Sequence, residues 1–371
     1  MNSGEPGGSR KIRVAVIFGG QSDEHDVSLR SANTVISALD PDQYEIMKIG
    51  ITRDGHWLTQ GDPLEALSAA SPMFHLADGR EPAPQPTGSS SAMAVPTLDE
   101  NQIDLVFPVL HGPMGEDGTI QGLFELIGVP YVGSGVLGSA VAMDKGVTRR
   151  LLEASGIALA PWLLVTRNEW RSDAAGVQAA IEEALGYPCF VKPANLGSSV
   201  GVSKVHDASE LAKAMDEAAY FDRRIVVEQG VTGRELEISV LGNESPVASV
   251  AGEIVPGDEF YSYNDKYIDD RSQSIIPAEL EPEQLAEMQR IAIASFKALD
   301  LAGMARVDFF LESATGRLLV NEVNTIPGFT SISMYPKLWE ASGMPLDELV
   351  RELLRLAIER HGERRPARRS S

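Results

Sequence analysis

Two acids near the C-terminus, Asp308 and Glu322, are spaced so that they could share a cation, and Arg306 and Asn324 are spaced to lie beside them. They lie in two apolar segments, Met304-Ala-Arg-Val-Asp-Phe-Phe-Leu311 and Leu318-Leu-Val-Asn-Glu-Val-Asn324, separated by Glu312-Ser-Ala-Thr-Gly-Arg317. The pattern predicts a β-hairpin, and a three-residue loop with Gly316 in the left-handed position is a common way to close one. Such a loop puts Asp308 opposite Glu322 and Arg306 opposite Asn324. Because side chains alternate along a strand, all four then share one face. Opposed carboxylates repel, and a hard divalent cation taking oxygen ligands is the usual relief. A rim of solvated charges is the bland alternative, which the apolar flanks disfavour. A four-residue loop would shift the pairing by one and turn Glu322 away from Asp308.

Other segments carry weaker signals. Gly197-Ser-Ser-Val-Gly201 lies between two apolar runs, so its backbone could close over a phosphate as a flap; a plain tight turn is the alternative. It lacks the Gly-Lys-Ser/Thr ending of a Walker A loop. Lys192 ends the apolar run Pro188-Cys-Phe-Val191 and needs either an anionic partner or a path to solvent. Lys145 and Lys266 could join it. Glu228 ends the strand-like Ile225-Val-Val-Glu228, where an acid can accept from a ribose or base edge or simply mark a strand end. Ser22-Asp-Glu-His-Asp-Val-Ser28 and His111-Gly-Pro-Met-Gly-Glu-Asp-Gly118 each follow a predicted strand, the place where open α/β sheets bind ligands. Glu24 is there a candidate partner for a substrate ammonium, with Asp26 or Ser28 as helix caps. The six histidines are scattered and have no partner cysteines, which disfavours zinc.

The elements that must position these groups are also legible. Ile12-Arg-Val-Ala-Val-Ile-Phe18 predicts a buried strand running into Gly19-Gly20, and Ala32, Val35, Ile36 and Leu39 then follow at helical spacing. Tyr44 to Ile51 and Ile103 to Val109 predict two more strands, with Ile120, Leu123, Phe124 and Ile127 marking a helix. This alternation favours an open parallel α/β sheet. Residues 61–95, rich in Pro, Ala and Ser, read as a variable surface excursion. Glycines near Val132-Gly-Ser-Gly135 suggest a boundary, followed by a smaller unit with strands at Cys189 to Lys192, Val202 to Val205 and Ile225 to Glu228. Short strands from Glu235, a helix near Glu283 to Leu299, the hairpin and a closing helix from Leu346 complete the chain.

Length and composition set limits. At 371 residues and 43% hydrophobic content, two or three domains with real cores are expected. A net charge of −21 argues against sequence-independent nucleic-acid binding, since phosphates would be repelled. The single cysteine, Cys189, reads as a small buried hydrophobe and implies no internal disulfide, which suits a reducing cytosol. The polar first ten residues lack a signal-peptide core, and no stretch is long enough to cross a bilayer.

Taken together, these motifs resemble the D-alanine–D-alanine ligases of the ATP-grasp superfamily over nearly the whole chain. The resemblance implies an α/β and α+β architecture: an N-terminal open parallel α/β substrate domain (1–135), then a central subdomain (136–229) and a C-terminal subdomain (230–371) that clasp ATP. It implies an enzyme that joins two D-alanines through an acylphosphate, for peptidoglycan precursors. Glu24 would meet the first D-alanine's ammonium, and His111 would stand beside that substrate. Lys145 and Lys192 would hold ATP phosphates, with Ser198 and Ser199 in the flap. Glu228, Gln229, Val231 and Glu235 would face adenine and ribose, and Asn321 and Glu322 would also meet the nucleotide. Tyr261, Lys266 and Tyr267 would correspond to the family's mobile loop. Asp308, Glu322 and Asn324 would bind two Mg²⁺ ions, with Mn²⁺ able to substitute. Arg306 and the Gly328 N–H would stabilise the oxyanion, and Ser333 with the Met334 amide would receive the second carboxylate. The trio Tyr267, Ser198 and Glu24 favours an amine nucleophile over D-lactate. Alternatives are a D-alanyl-D-lactate or D-alanyl-D-serine ligase, or a non-catalytic nucleotide-binding module. A cytoplasmic protein, with no membrane or nucleic-acid partner and with the homodimer habit of the family, completes the expectation.

Overall fold

The computed structural model describes residues 10–71, 83, 102–197, 200–255 and 273–364, and in it the chain builds three sheets. The first comprises Ile12–Gly19 (β1), Tyr44–Ile51 (β2), Trp57–Leu58 (β3) and Leu105–Val109 (β4), in the order β3-β2-β1-β4. β1 is parallel to both β2 and β4, whereas β3 turns back antiparallel on β2. A strand covered on both faces should be apolar throughout, and β1 is buried from Val14 to Gly19. Val14, Val16 and Phe18 face the helix His25–Ala38 through Leu29, Ala32 and Val35. Ala15 and Ile17 face the helix Thr119–Ile127 through Ile120 and Phe124. The helix Leu346–Arg364 returns from the far end of the chain to this core, burying Leu349, Leu353 and Leu354 with Phe107.

The expected excursion at 61–95 begins as structure instead. Pro63–Ala70 is a helix capped by Asp62, whose Oδ1 accepts from the N–H groups of Leu64 and Glu65 at 3.1 and 3.2 Å. Leu64 and Leu67 complete the first core, so an Ala-rich composition concealed an amphipathic turn. Apart from residues 71 and 83, the rest of that segment lies outside the described residues.

The second sheet holds Trp162–Thr166 (β5), Cys189–Pro193 (β6), Ser203–Val205 (β7) and Arg224–Gln229 (β8), antiparallel in the order β5-β8-β6-β7. The helices Ala174–Ala184 and Ala208–Phe221 bury Ile181, Leu211 and Met215 against it. The third sheet, Gly233–Gly242 (β9), Val247–Val255 (β10), Gln273–Ile275 (β11), Gly303–Glu312 (β12) and Leu318–Asn324 (β13), is antiparallel in the order β11-β10-β9-β12-β13. Its core takes Met288, Ala292 and Phe296 from the helix Pro282–Ala298. Ala142 and Leu152, from the helices Val136–Met143 and Lys145–Ala154, enter the same core. Those two helices therefore pack on the third sheet while Asp144, between them, pairs with Arg224 of the second. Among the described residues no helix is long and apolar enough to cross a membrane.

Candidate active site

The hairpin of β12 and β13 pairs Arg306 with Asn324 and Asp308 with Glu322, but it reaches that register by a different route from the one expected. Glu312 N–H donates to Arg317 O at 3.0 Å and Gly316 N–H to Glu312 O at 2.8 Å, which closes a four-residue loop over 313–316 with Gly316 at φ +71°. Phe309 accordingly pairs with Val320, one residue out of step with Asp308 and Glu322. Asn321 is the extra residue, a β-bulge that cancels the shift imposed by the longer loop. On its other side Asp308 pairs with Glu237 of β9, so three acids cross the sheet in one row. Arg306 answers that charge: its Nε and Nη2 donate to the two Asp308 carboxylate oxygens at 2.7 and 2.8 Å, and it stands 3.0 Å from Glu237. Burial opposes the Arg306 charge, yet Asp308 and Glu237 raise its pKa further above the usual value. Relief of the opposed carboxylates thus comes here from a guanidinium, and among the described residues no three acidic, histidine or cysteine side chains converge as a metal cluster. The donor chemistry still fits a small hard cation: two carboxylates and an amide oxygen flank one row, and Asn321 Oδ1 is buried with no hydrogen-bond partner among the described residues.

At the neighbouring end, β8 and β6 bring Glu228 and Lys192 side by side. Lys192 Nζ donates to Glu228 Oε2 at 3.0 Å, so the lysine has the anionic partner that its apolar setting required. Arg149, which is 4% exposed, forms a second ion pair with Glu228 and donates through Nη2 to Asn321 O at 3.2 Å. Burial works to raise the Glu228 pKa, but Arg149 and Lys192 outweigh it and hold the carboxyl below its usual value. Lys145 opens its helix after Asp144 and donates from Nζ to Leu196 O. Burial lowers its pKa, with Glu322 pulling the other way.

The third wall comes from the C-terminal ends of β1 and β4. Gly19, at φ +90°, lies where a Cβ would stand 2.2 Å from Ile51 O, so only glycine lets the chain turn there. Ser28 Oγ accepts from Gly19 N–H at 2.7 Å and donates to Val109 O, which fixes both strand ends against the helix that Glu24 precedes. His111 Nδ1–H donates to Ile326 O at 2.9 Å. Burial lowers the His111 pKa, against the opposing influence of Glu24, so at neutral pH the ring is uncharged and Nε2 is an acceptor. Glu116 Oε1 accepts from Gly112 N–H at 2.7 Å, and burial, reinforced by the Glu24 charge, pushes its pKa up to about 8. The segment after β13 is anchored to the same wall, because Phe329 N–H donates to Ser31 Oγ at 3.0 Å. Ser333 Oγ accepts from Thr330 N–H at 3.0 Å, immediately before the helix Met334–Ala341.

These walls enclose one cleft of about 320 Å³. It is lined by Glu24, His111, Lys145, Lys192, Glu228, Gln229, Val231, Glu235, Arg306, Asp308, Asn321, Glu322, Asn324, Gly328, Ser333 and Met334. Every candidate residue that the structure describes is among them. Ser198, Ser199, Tyr261, Lys266 and Tyr267 lie outside the described residues. The sequence reading assigned no role to Glu116, Glu237 or Lys337, which line the cleft, or to Arg149, whose guanidinium reaches two cleft residues. Glu116 had a signal in its glycine-rich motif. Arg149 had none, since an arginine on a helix ordinarily reads as solvated.

Known proteins match the chain over most of its length. A family model described as the D-ala D-ala ligase N-terminus matches residues 13–134, and one described as the D-ala D-ala ligase C-terminus matches 151–355. A D-alanine–D-alanine ligase of Thermoanaerobacter sp. is 51% identical over 362 residues, covering 95% of this chain and 98% of the relative. Its counterpart in Acetivibrio thermocellus is 48% identical over 366 residues, covering 95% and 97%. Among solved structures, the D-alanine-D-alanine ligase from Coxiella burnetii superposes with a TM-score of 0.78 at 39% identity, covering 95% of each chain. The VanG D-Ala:D-Ser ligase from Enterococcus faecalis gives 0.79 at 34% identity, covering 94% of this chain and 100% of that one.

Proposed function

The chain belongs to the D-alanine–D-alanine ligase family, and from that premise we propose that it joins two D-alanines at the expense of ATP, making D-alanyl-D-alanine for peptidoglycan precursors. The observation that carries this reading is the single cleft in which all three sheets place the candidate residues. The carboxylate of the first D-alanine attacks the γ-phosphorus of ATP, releasing ADP and leaving an acylphosphate. The amine of the second attacks that carbonyl, and inorganic phosphate leaves as the peptide bond forms.

Each wall has a task in this scheme. Glu24 receives the first ammonium, with the neutral His111 beside it. Lys145 and Lys192 meet the phosphates, and Glu228, Gln229, Val231 and Glu235 meet the adenosine. Arg306 and the Gly328 N–H stabilise charge that develops on the attacked carbonyl oxygen. Ser333 and the Met334 N–H, at a helix start, suit the second carboxylate. Asp308, Glu322 and Asn324 would hold Mg²⁺, which neutralises phosphate charge during transfer. Ser198, Ser199, Lys266 and Tyr267 lie outside the described residues, and the family resemblance alone assigns them to the exclusion of water from the acylphosphate. The domain limits at 135 and 229, a homodimer and a cytoplasmic location are retained as part of this reading.

Phosphate release from ATP should require D-alanine, and equal stimulation by L-alanine would overturn the assignment. The likeness to the VanG D-Ala:D-Ser ligase supports a second reading, D-serine as the second substrate. Competition between D-alanine and D-serine, with the dipeptides separated by mass, decides between them.

A further inference from the structure

We propose that Arg149 is a positioning residue: it fixes the bulge at Asn321 that presents Glu322 to Asp308, and it ties that bulge to Glu228 at the nucleotide end of the cleft. The inference rests on the ligase reading and adds a residue that reading leaves without a role. A bulged residue falls out of the strand ladder, so its backbone groups need partners from elsewhere. Asn321 is that residue, and Arg149 Nη2 supplies its carbonyl with a donor at 3.2 Å. Without the bulge, the register set by the four-residue loop would carry through to Asp308 and turn Glu322 to the other face. The bond is therefore made at the one residue on which the placement of the proposed metal ligand depends.

The same guanidinium is ion-paired with Glu228, whose side chain is 5% exposed and whose second cation is Lys192 at 3.0 Å. A triphosphate that draws Lys192 away leaves Arg149 as the counter-charge of a buried acid. Both contacts run through Nη2, whose two N–H bonds hold fixed directions in the guanidinium plane; a lysine ammonium is a point charge on a flexible stem with no such fixed directions. Arg149 also stands one helical turn beyond Lys145, so a single rigid helix carries both a phosphate-facing lysine and the clamp on the bulge.

The test measures Mn²⁺ binding to the ADP complex by electron paramagnetic resonance, and ADP binding without metal by calorimetry. Arg149→Lys, which keeps the charge, should weaken Mn²⁺ binding about tenfold and change metal-free ADP affinity by less than about threefold. Glu228→Gln, which leaves the bond to Asn321 in place, should show the converse: weaker ADP, with Mn²⁺ affinity within about threefold of the parent. The double variant Arg149→Met with Glu228→Gln removes both buried charges together, so no acid is stranded, and it should show the same tenfold loss of Mn²⁺. Parental Mn²⁺ affinity in either Arg149 variant overturns the proposal. D-alanine-dependent turnover by the parent tests the ligase reading separately, so an active parent whose variants bind metal normally refutes this inference alone.

Discussion

Glu116→Gln should stabilise the protein, and by an amount that grows with pH. The Glu116 carboxyl is buried beside Glu24, accepts Gly112 N–H, and keeps its proton up to about pH 8 against an ordinary value of 4.5. In the unfolded chain it ionises near 4.5. Between those values the native state binds the extra proton, so stability falls as pH rises through the window and the loss is complete above pH 8. At about 1.4 kcal/mol per pH unit, the gap corresponds to roughly 5 kcal/mol at full ionisation. Glutamine copies the neutral carboxyl, keeps an oxygen for Gly112 and has nothing to titrate. Urea unfolding of both proteins at pH 5, 7 and 8.5 should find them within about 1 kcal/mol of each other at the lowest pH. The variant should lead by several kcal/mol, at most about 5, at the highest. A difference that stays constant with pH, or that favours the parent as pH rises, refutes the argument that burial keeps Glu116 protonated.

Four further outcomes are expected. Asp308→Asn should lower turnover by roughly 10²–10³ while the melting temperature stays within a few degrees, because Arg306 retains Glu237; full activity in this variant would make the acid structural. Gly19→Ala should cost more than about 2 kcal/mol in thermal unfolding, since the new Cβ meets Ile51 O and the positive φ is strained. Phe329→Ala removes a fully buried ring packed edge-on to Phe107 at 6.0 Å; it should cost about 3–5 kcal/mol and raise the KM for D-alanine by loosening Gly328, both measurable on one preparation. Cys189 is buried and its thiol is pushed up to about 11, so iodoacetamide at pH 8 should label it in urea and leave the native protein unmodified.

The parts of the fold visible in the sequence are those specified by local pattern. β1 was legible because a doubly covered strand is an unbroken apolar run ending in glycine, and the row of Asp308 and Glu322 because a strand repeats every two residues. What escaped was set by distant partners. Glu237 joins the acidic row only through the pairing of β9 with β12, some 70 residues away in the chain. Arg149 acquires its meaning from a carbonyl on β13 and a carboxylate on β8, neither of which its helix announces. The hairpin loop was read one residue too short, and the register survived only because the bulge at Asn321 compensates, a cancellation that a period-two pattern cannot reveal. Composition misled at Pro63–Ala70, where small residues and proline concealed a capped helix.

Charge balance connects these observations. With Glu116 protonated, the cleft is lined by Glu24, Glu228, Glu235, Glu237, Asp308 and Glu322 against Lys145, Lys192, Arg306 and Lys337, in a chain whose net charge is already −21. A polyphosphate entering alone would face a surplus of like charge, and two of the cleft cations are already engaged by acids: Lys192 by Glu228, and Arg306 by Asp308 and Glu237. The two engagements differ in what remains when they break. Glu228 keeps Arg149 after Lys192 leaves, and Arg306 keeps Glu237 after it releases Asp308. Asp308 stands opposite Glu322 and faces its like charge when Arg306 turns away. In the proposed reaction the developing negative charge at the attacked carbonyl calls on Arg306, and the opposed pair Asp308 and Glu322 would then favour a cation between them. On the proposed reading, a divalent ion arriving with the nucleotide would offset the phosphate charge and the opposed acids together, which would be the electrostatic reason for two facing acids beside Arg306.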